Sequence, residues 1–140
     1  MPFDDFTWSA QVLDDKRLGK QRVETLQIMR VLVTGTGGWE NHPAVRMWRG
    51  RERALLAYQQ AVCHEWSSVR GFKDTCWDKT RTIFLEYIVD PMATPLIPPK
   101  WMGNVDFHIS HQSNLLRKDE EYYRKYFPGI RNDHPYIWPV

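Results

Sequence analysis

Cysteine is nearly missing from this chain: Cys63 and Cys76 are the only two in 140 residues. Thirteen positions apart and without a second pair, they form neither a disulfide framework nor a zinc knuckle. Two reduced, partly buried thiols in a cytosolic protein are expected. Long apolar runs are missing too, and none approaches the roughly 20 residues of a membrane span. The opening Met-Pro-Phe-Asp-Asp-Phe carries acids where a signal peptide carries bases, so the cytoplasm is the expected location and no membrane partner is foreseen. Neither sign of charge dominates: 19 basic against 17 acidic residues leave a net charge of +2. That excludes a histone-like polycation, and any nucleic-acid surface must come from where the basic residues lie. Strand-type alternation and internal repeats are absent. So are a glycine-rich phosphate loop, a nucleophile-elbow serine, a His-Glu-x-x-His pair and any Cys/His set with zinc spacing.

What the chain does have is aromatic mass, with seven Trp, six Tyr and six Phe, which serve as core pieces or as surfaces on which bases stack. It also has helical periodicity. The pattern predicts a helix from about Ser9 to Val33, stopped by Thr34-Gly-Thr-Gly-Gly38. Leu18, Leu26, Met29 and Val33 share one side, flanked by Ile28 and Leu32; Arg17, Lys20, Glu24 and Gln27 share the other. Asn41 or His42 caps a short helix with Pro43 in its first turn, running through Met47 and Trp48. A longer helix is expected from about Arg51 to Ser67, with Leu55, Tyr58, Val62 and Trp66 inward. Asp74 or Thr75 starts another to about Val89, with Trp77, Ile83, Phe84 and Tyr87 as anchors. Residues 91–103 hold four prolines and read as a rigid crossing segment. Asn104 opens a helix through Leu116, and Asp119 caps a last short one to Tyr126. The apolar ending Asp133-His-Pro-Tyr-Ile-Trp-Pro-Val140 should dock on the body. The expected fold is all-α, one compact domain over residues 1–140 built as a bundle of about four to six helices.

Few side chains stand out chemically. Arg22 points into the arc between Leu18 and Leu26 at 100° per residue, so it must snorkel, pair with a carboxylate or reach a pocket. His108 and His111 share a helix face, but no third metal ligand is evident, and hydrogen bonds to phosphate or to carboxylates are expected instead. No cofactor is expected. With Pro in second position the initiator Met is normally removed, which leaves Pro2 with a free secondary amine. Such an amine is partly neutral near pH 7 and can attack the anomeric carbon of a deoxyribose. A carboxylate has to assist by stabilising the sugar's positive charge and moving protons.

Leu13-Asp-Asp-Lys-Arg-Leu-Gly-Lys-Gln-Arg-Val-Glu-Thr25 followed by Asn41-His-Pro43 resembles the opening of the pyrimidine-dimer DNA glycosylase (endonuclease V type) family. Phe107-His-Ile-Ser-His-Gln-Ser-Asn-Leu-Leu-Arg-Lys-Asp119 and Pro135-Tyr-Ile-Trp-Pro139 resemble its bacterial and phage branch; residues 51–100 resemble it in helical pattern only. The resemblance implies a helical glycosylase with AP lyase activity that works through an N-terminal amine and an imine intermediate. It implies a Glu early in the first long helix as catalytic carboxylate, and basic residues near it on the phosphates of a kinked duplex. The matching positions are Pro2 and Glu24, with Arg22 near the Arg that precedes the family's Glu, Val23 intervening.

The expected partner is double-stranded DNA carrying a damaged or modified base, bound by a monomer. Arg17, Lys20 and Gln21 lie beside Glu24 for one phosphate path. His42, Arg46 and Arg49 are placed for the opposite path, and Arg117 and Lys118 close the third motif. Asn114, His108 and His111 are assigned to an extruded base or the gap it leaves. Three alternatives stay open: a glycosylase for another modified base, a non-catalytic nucleic-acid or nucleotide-binding module on the same scaffold, and a purely structural phage or host interaction protein.

Overall fold

The computed structural model describes residues 1–36 and 38–139. Gly37, in the expected glycine stop, and Val140, at the end of the tail, lie outside the described residues. Among the described residues the chain is all-α, with seven α-helices, one π-helical turn and no strand. Three of the seven are one or two turns long, which is why the number exceeds the expected four to six.

The acidic opening is a helix start. Asp5 accepts the Trp8 N–H at 2.7 Å and caps α1 (Phe6–Val12). The continuous helix expected from Ser9 to Val33 is interrupted. Leu13 turns extended, and α2 (Asp15–Thr34) begins afresh after Asp14. The break is held from the far end of the chain: Asp14 donates its N–H to the Tyr123 hydroxyl at 3.0 Å, and that hydroxyl donates back to the Asp14 carboxylate. At its other end α2 stops at Gly35, whose φ of 66° is a left-handed conformation that a β-carbon disfavours. Leu18, Leu26, Ile28 and Met29 are buried as expected, and Thr25 joins them, whereas Val33 is only half-buried.

His42 accepts the Ala44 N–H through Nδ1 and caps α3 (Pro43–Arg46), with turns continuing through Trp48. Helix α4 (Glu52–His64) runs into a π-helical turn, Glu65–Val69, where the Arg70 N–H reaches the Glu65 carbonyl at 3.0 Å. Trp66 in this turn brings the outer edge of its indole against Gly19 of α2. A β-carbon on Gly19 would stand 3.0 Å from its indole, tighter than β-carbons usually pack, so a larger residue would oblige the ring to give by a few tenths of an ångström. Asp74 accepts the N–H groups of Cys76 and Trp77, both at 3.0 Å, to start α5 (Cys76–Tyr87). This helix ends short of Val89 ahead of Pro91, and its Tyr87, expected as an anchor, is half exposed. The proline-bearing crossing is irregular throughout. Asn104 accepts the Phe107 N–H to open α6 (Val105–Lys118), and Asp119 that of Tyr122 to open α7 (Glu120–Tyr123), shorter than the expected reach to Tyr126.

Helix α2 packs on α4 and α5, and α1 on α4. The fully buried Gln59 amide ties three helices at once, donating to the Arg22 carbonyl at 2.8 Å and to the Thr80 hydroxyl at 3.0 Å. The main core runs from Met1 to Phe127 and includes Phe84, Phe107, Tyr123 and Phe127 as wholly enclosed rings. Each such ring stabilises the fold by roughly 2–3 kcal/mol, so the C-terminal third is part of the same core. Among the described residues no helix is long and apolar enough to cross a membrane. Cys63 and Cys76 are both buried free thiols.

Candidate active site

One face of α2, the first two residues, α6 and the C-terminal tail surround a cavity of about 480 Å³. Its polar lining joins Arg17, Lys20, Gln21 and Glu24 of α2 to His111, Asn114 and Lys118 of α6. The three- and four-residue steps on each helix put these groups on one side. Apolar and aromatic groups make the remaining wall: Trp48 and Tyr58 below, Trp101 from the crossing segment, Tyr136 and Trp138 from the tail. A cavity of this size, apolar with a few convergent polar groups, is the kind that admits a small planar ligand.

The start of the chain is built into this cavity. Gln112 donates to the Pro2 carbonyl at 2.8 Å. His108 Nε2 accepts the Gly103 N–H at 3.0 Å, so its proton sits on Nδ1, which donates to the Met1 carbonyl at 3.0 Å. The Met1 amine donates to His111 Nδ1. Three side chains of α6 therefore grip residues 1 and 2 from one helix face. Burial pushes the Met1 amine well below its ordinary pKa, and a buried amine without charge is a nucleophile. Pro2 lines the same cavity, buried behind Met1, with its own nitrogen in a peptide bond.

Glu24 lies on the exposed side of α2 and lines the cavity. It faces two tyrosines: burial first, then the Glu24 carboxylate, pushes the phenols of Tyr58 and Tyr136 upward. Glu24 and the first two residues thus line one volume, together with Arg17, Lys20 and Lys118. Arg17 is not wholly available, since it also bonds Asp14 at 3.0 Å.

Other expected site residues are placed elsewhere. Arg22 is turned away from the cavity: its guanidinium bonds Asp74 at 2.7 Å and lies 4.8 Å over the Trp66 ring. Burial between α2 and α5 calls for a carboxylate there, and Asp74 provides it. His108 is buried and spends both ring nitrogens on backbone, so it is not a surface group for phosphate. Arg117 is committed to the tail, donating to the carbonyls of Asn132 and His134, both at 2.9 Å. His42, Arg46 and Arg49 are exposed but do not line the cavity. Arg49 holds the Glu40 carbonyl, and the His42 ring is sandwiched face-on by Trp39 and edge-on by Trp138.

The residues that sequence reasoning missed are the aromatic wall, Trp48, Tyr58, Trp101, Tyr136 and Trp138, and the Gln112 clamp. The signals for the wall were the high aromatic content and the apolar ending. For Gln112 the signal was its place four residues after His108, on the same helix face. Compared with known families, residues 1–80 match the model described as pyrimidine dimer DNA glycosylase. No curated protein and no solved structure matches the chain. The matched part contains Glu24, Arg17 and Lys20 but neither α6 nor the tail, so the parts assigned to His111, Tyr136 and Trp138 stand on geometry.

Proposed function

The chain belongs to the pyrimidine dimer DNA glycosylase family, and on that premise we propose that it excises cyclobutane pyrimidine dimers from duplex DNA and then cleaves the strand as an AP lyase. One observation carries the reading: the first residues of the chain and Glu24 line a single open cavity whose rim is basic. The nucleophile is the chain's α-amine, Met1's as it stands here and Pro2's once Met1 is removed. It attacks the deoxyribose C1′, the glycosidic bond breaks, and an imine forms on the sugar. The Glu24 carboxylate stabilises the positive charge on the sugar and moves the protons of the elimination. Lys20, Arg17 and Lys118, with the exposed Arg46 and Arg49, hold phosphates on either side. Asn114 and Gln21 offer hydrogen bonds to a base that leaves the stack, and the aromatic wall offers it a surface. The whole chain acts as one domain and as a monomer.

The test is covalent trapping. Borohydride should fix the protein to dimer-containing and abasic duplexes but not to intact DNA. A version with extra residues ahead of Met1 should give no adduct, because its new amine is displaced from the cavity. Absence of any adduct from the unextended protein removes the catalytic reading in favour of a binding module.

A further inference from the structure

The motif around α6 contains two histidines, and the structure separates their tasks. His108 holds backbone, whereas His111 holds the amine itself. The His111 ring is fixed by packing, its centroid 4.4 Å from that of Phe107 and 4.5 Å from that of Tyr136. The Tyr136 hydroxyl stands 3.5 Å from the same Nδ1. Its Nε2 is buried with no hydrogen-bond partner. Because Nδ1 accepts from the amine, the neutral ring carries its proton on Nε2. Burial, followed by the repulsion that a charged ring would meet from the amine end, His108 and Lys118, holds the ring well below its ordinary pKa. The imidazole therefore meets the amine with an open lone pair.

We propose that His111 is a catalytic residue that orients the α-amine in the cavity and accepts the proton it sheds. This rests on the repair reading given above for the identity of the carbon attacked. In the step, the amine nitrogen gives its electron pair to C1′, and the C1′–N glycosidic bond breaks with its pair leaving on the base. The nitrogen, now cationic, passes one proton to His111 Nδ1; the departing base takes its proton from water. The contact is made by the Met1 amine, and the role is assigned for that amine. Glu24, on the opposite helix, is left to face the sugar. The division gives the cavity one group for the nucleophile's proton and another for the developing positive charge.

Two readouts separate this proposal from the function it rests on. Reductive methylation with formaldehyde and cyanoborohydride at neutral pH, followed by mass spectrometry of the N-terminal peptide, reports imine formation at the α-amine with no DNA present. Lysine peptides of the same sample serve as the internal reference. His111→Phe keeps the ring packing and removes the acceptor; it should slow α-amine labelling about tenfold. His111→Asn, whose amide oxygen can stand where Nδ1 stands, should recover part of that loss. It also keeps the measurement decisive should the Phe variant not fold. On abasic duplex the borohydride adduct should form about a hundredfold more slowly in His111→Phe, within the range general base catalysis supplies. Equal labelling in wild type and both variants overturns the proposal. So does adduct formation in His111→Phe at the wild-type rate, which would leave the repair reading intact. Fast, His111-dependent labelling without any adduct on damaged or abasic DNA would instead remove the repair reading and keep His111 as the amine's partner.

Discussion

Arg22 of α2 donates to Asp74 over 2.7 Å, and the same carboxylate accepts the first two N–H groups of α5. One acid, 52 residues further along the chain, thus neutralises a half-buried guanidinium and starts a helix. Removing it leaves Arg22 charged and unmatched beneath Trp66. Asp74→Ala should lower unfolding free energy by roughly 3 kcal/mol, the sum of a broken partly buried pair and a lost cap. Urea denaturation measures it, and a change below about 1 kcal/mol would show that solvent already serves Arg22. Activity at a temperature where the variant stays folded should be near wild type, because neither residue lines the cavity.

The same pair sets a pH dependence. Burial pushes the Asp74 carboxyl up, but the Arg22 bond and the N–H groups of Trp77 and Cys76 outweigh it and hold the group below the ordinary carboxylate range. A lowered folded pKa means that the stabilisation is complete above the unfolded aspartate value of about 3.9. It is lost as pH falls through the lower folded value. Asp74→Asn should therefore flatten the acid limb of a stability-against-pH curve and leave its slope between pH 6 and 8 unchanged; an unaltered acid limb contradicts the assignment.

Glu24→Gln keeps size and hydrogen bonding but loses the charge that faces the sugar. Base release should fall by about 10²–10⁴-fold, while affinity for undamaged duplex stays within about threefold. Single-turnover excision and filter binding on the same preparation measure both. Turnover like the wild type's would take Glu24 out of the mechanism.

Arg17→Ala combined with Lys20→Ala should weaken duplex binding and flatten its salt dependence. Each phosphate contact contributes about 0.9 to the slope of log K against log salt, so loss of both lowers it by nearly two. Arg17 already bonds Asp14, so Lys20→Ala alone should account for most of the effect. Binding isotherms between about 50 and 200 mM salt measure this; parallel lines for the variant and wild type would move the DNA to another face.

Trp138→Ala should act on base recognition. The ring is 41% exposed and lines the cavity, so stability should barely change. Base–aromatic stacking amounts to about 1–3 kcal/mol, which corresponds to a roughly tenfold or greater rise in KM for dimer excision. Adduct formation on abasic DNA, which has no base to stack, should be little affected. An equal loss on both substrates would point to a collapsed cavity instead.

Much of the fold was legible because it rests on local rules. Apolar spacing, the Asn104 and Asp119 caps, Gly35 and the proline cluster mark the helices where the structure has them. The boundary that went unread, between α1 and α2, depends on Tyr123, more than a hundred residues away. No local pattern encodes such a tie. The same holds in the site. The spacing of Arg17, Lys20 and Glu24 along one helix shows a shared side, whereas the partner of Arg22 cannot be read from its neighbours. His108 and His111 look alike in sequence, yet one is spent on the Gly103 N–H and the Met1 carbonyl and the other meets the amine.

By its order of residues alone the chain settled what is periodic: an all-helical body, an acid set among cations on α2, and a family match over residues 1–80. Tertiary structure decided what meets what, because distances between remote residues follow from packing rather than from spacing. Only there do α6 and the aromatic tail close over the first residues, bury an amine against an imidazole, and bring residues 1 and 2 to the cavity that Glu24 lines.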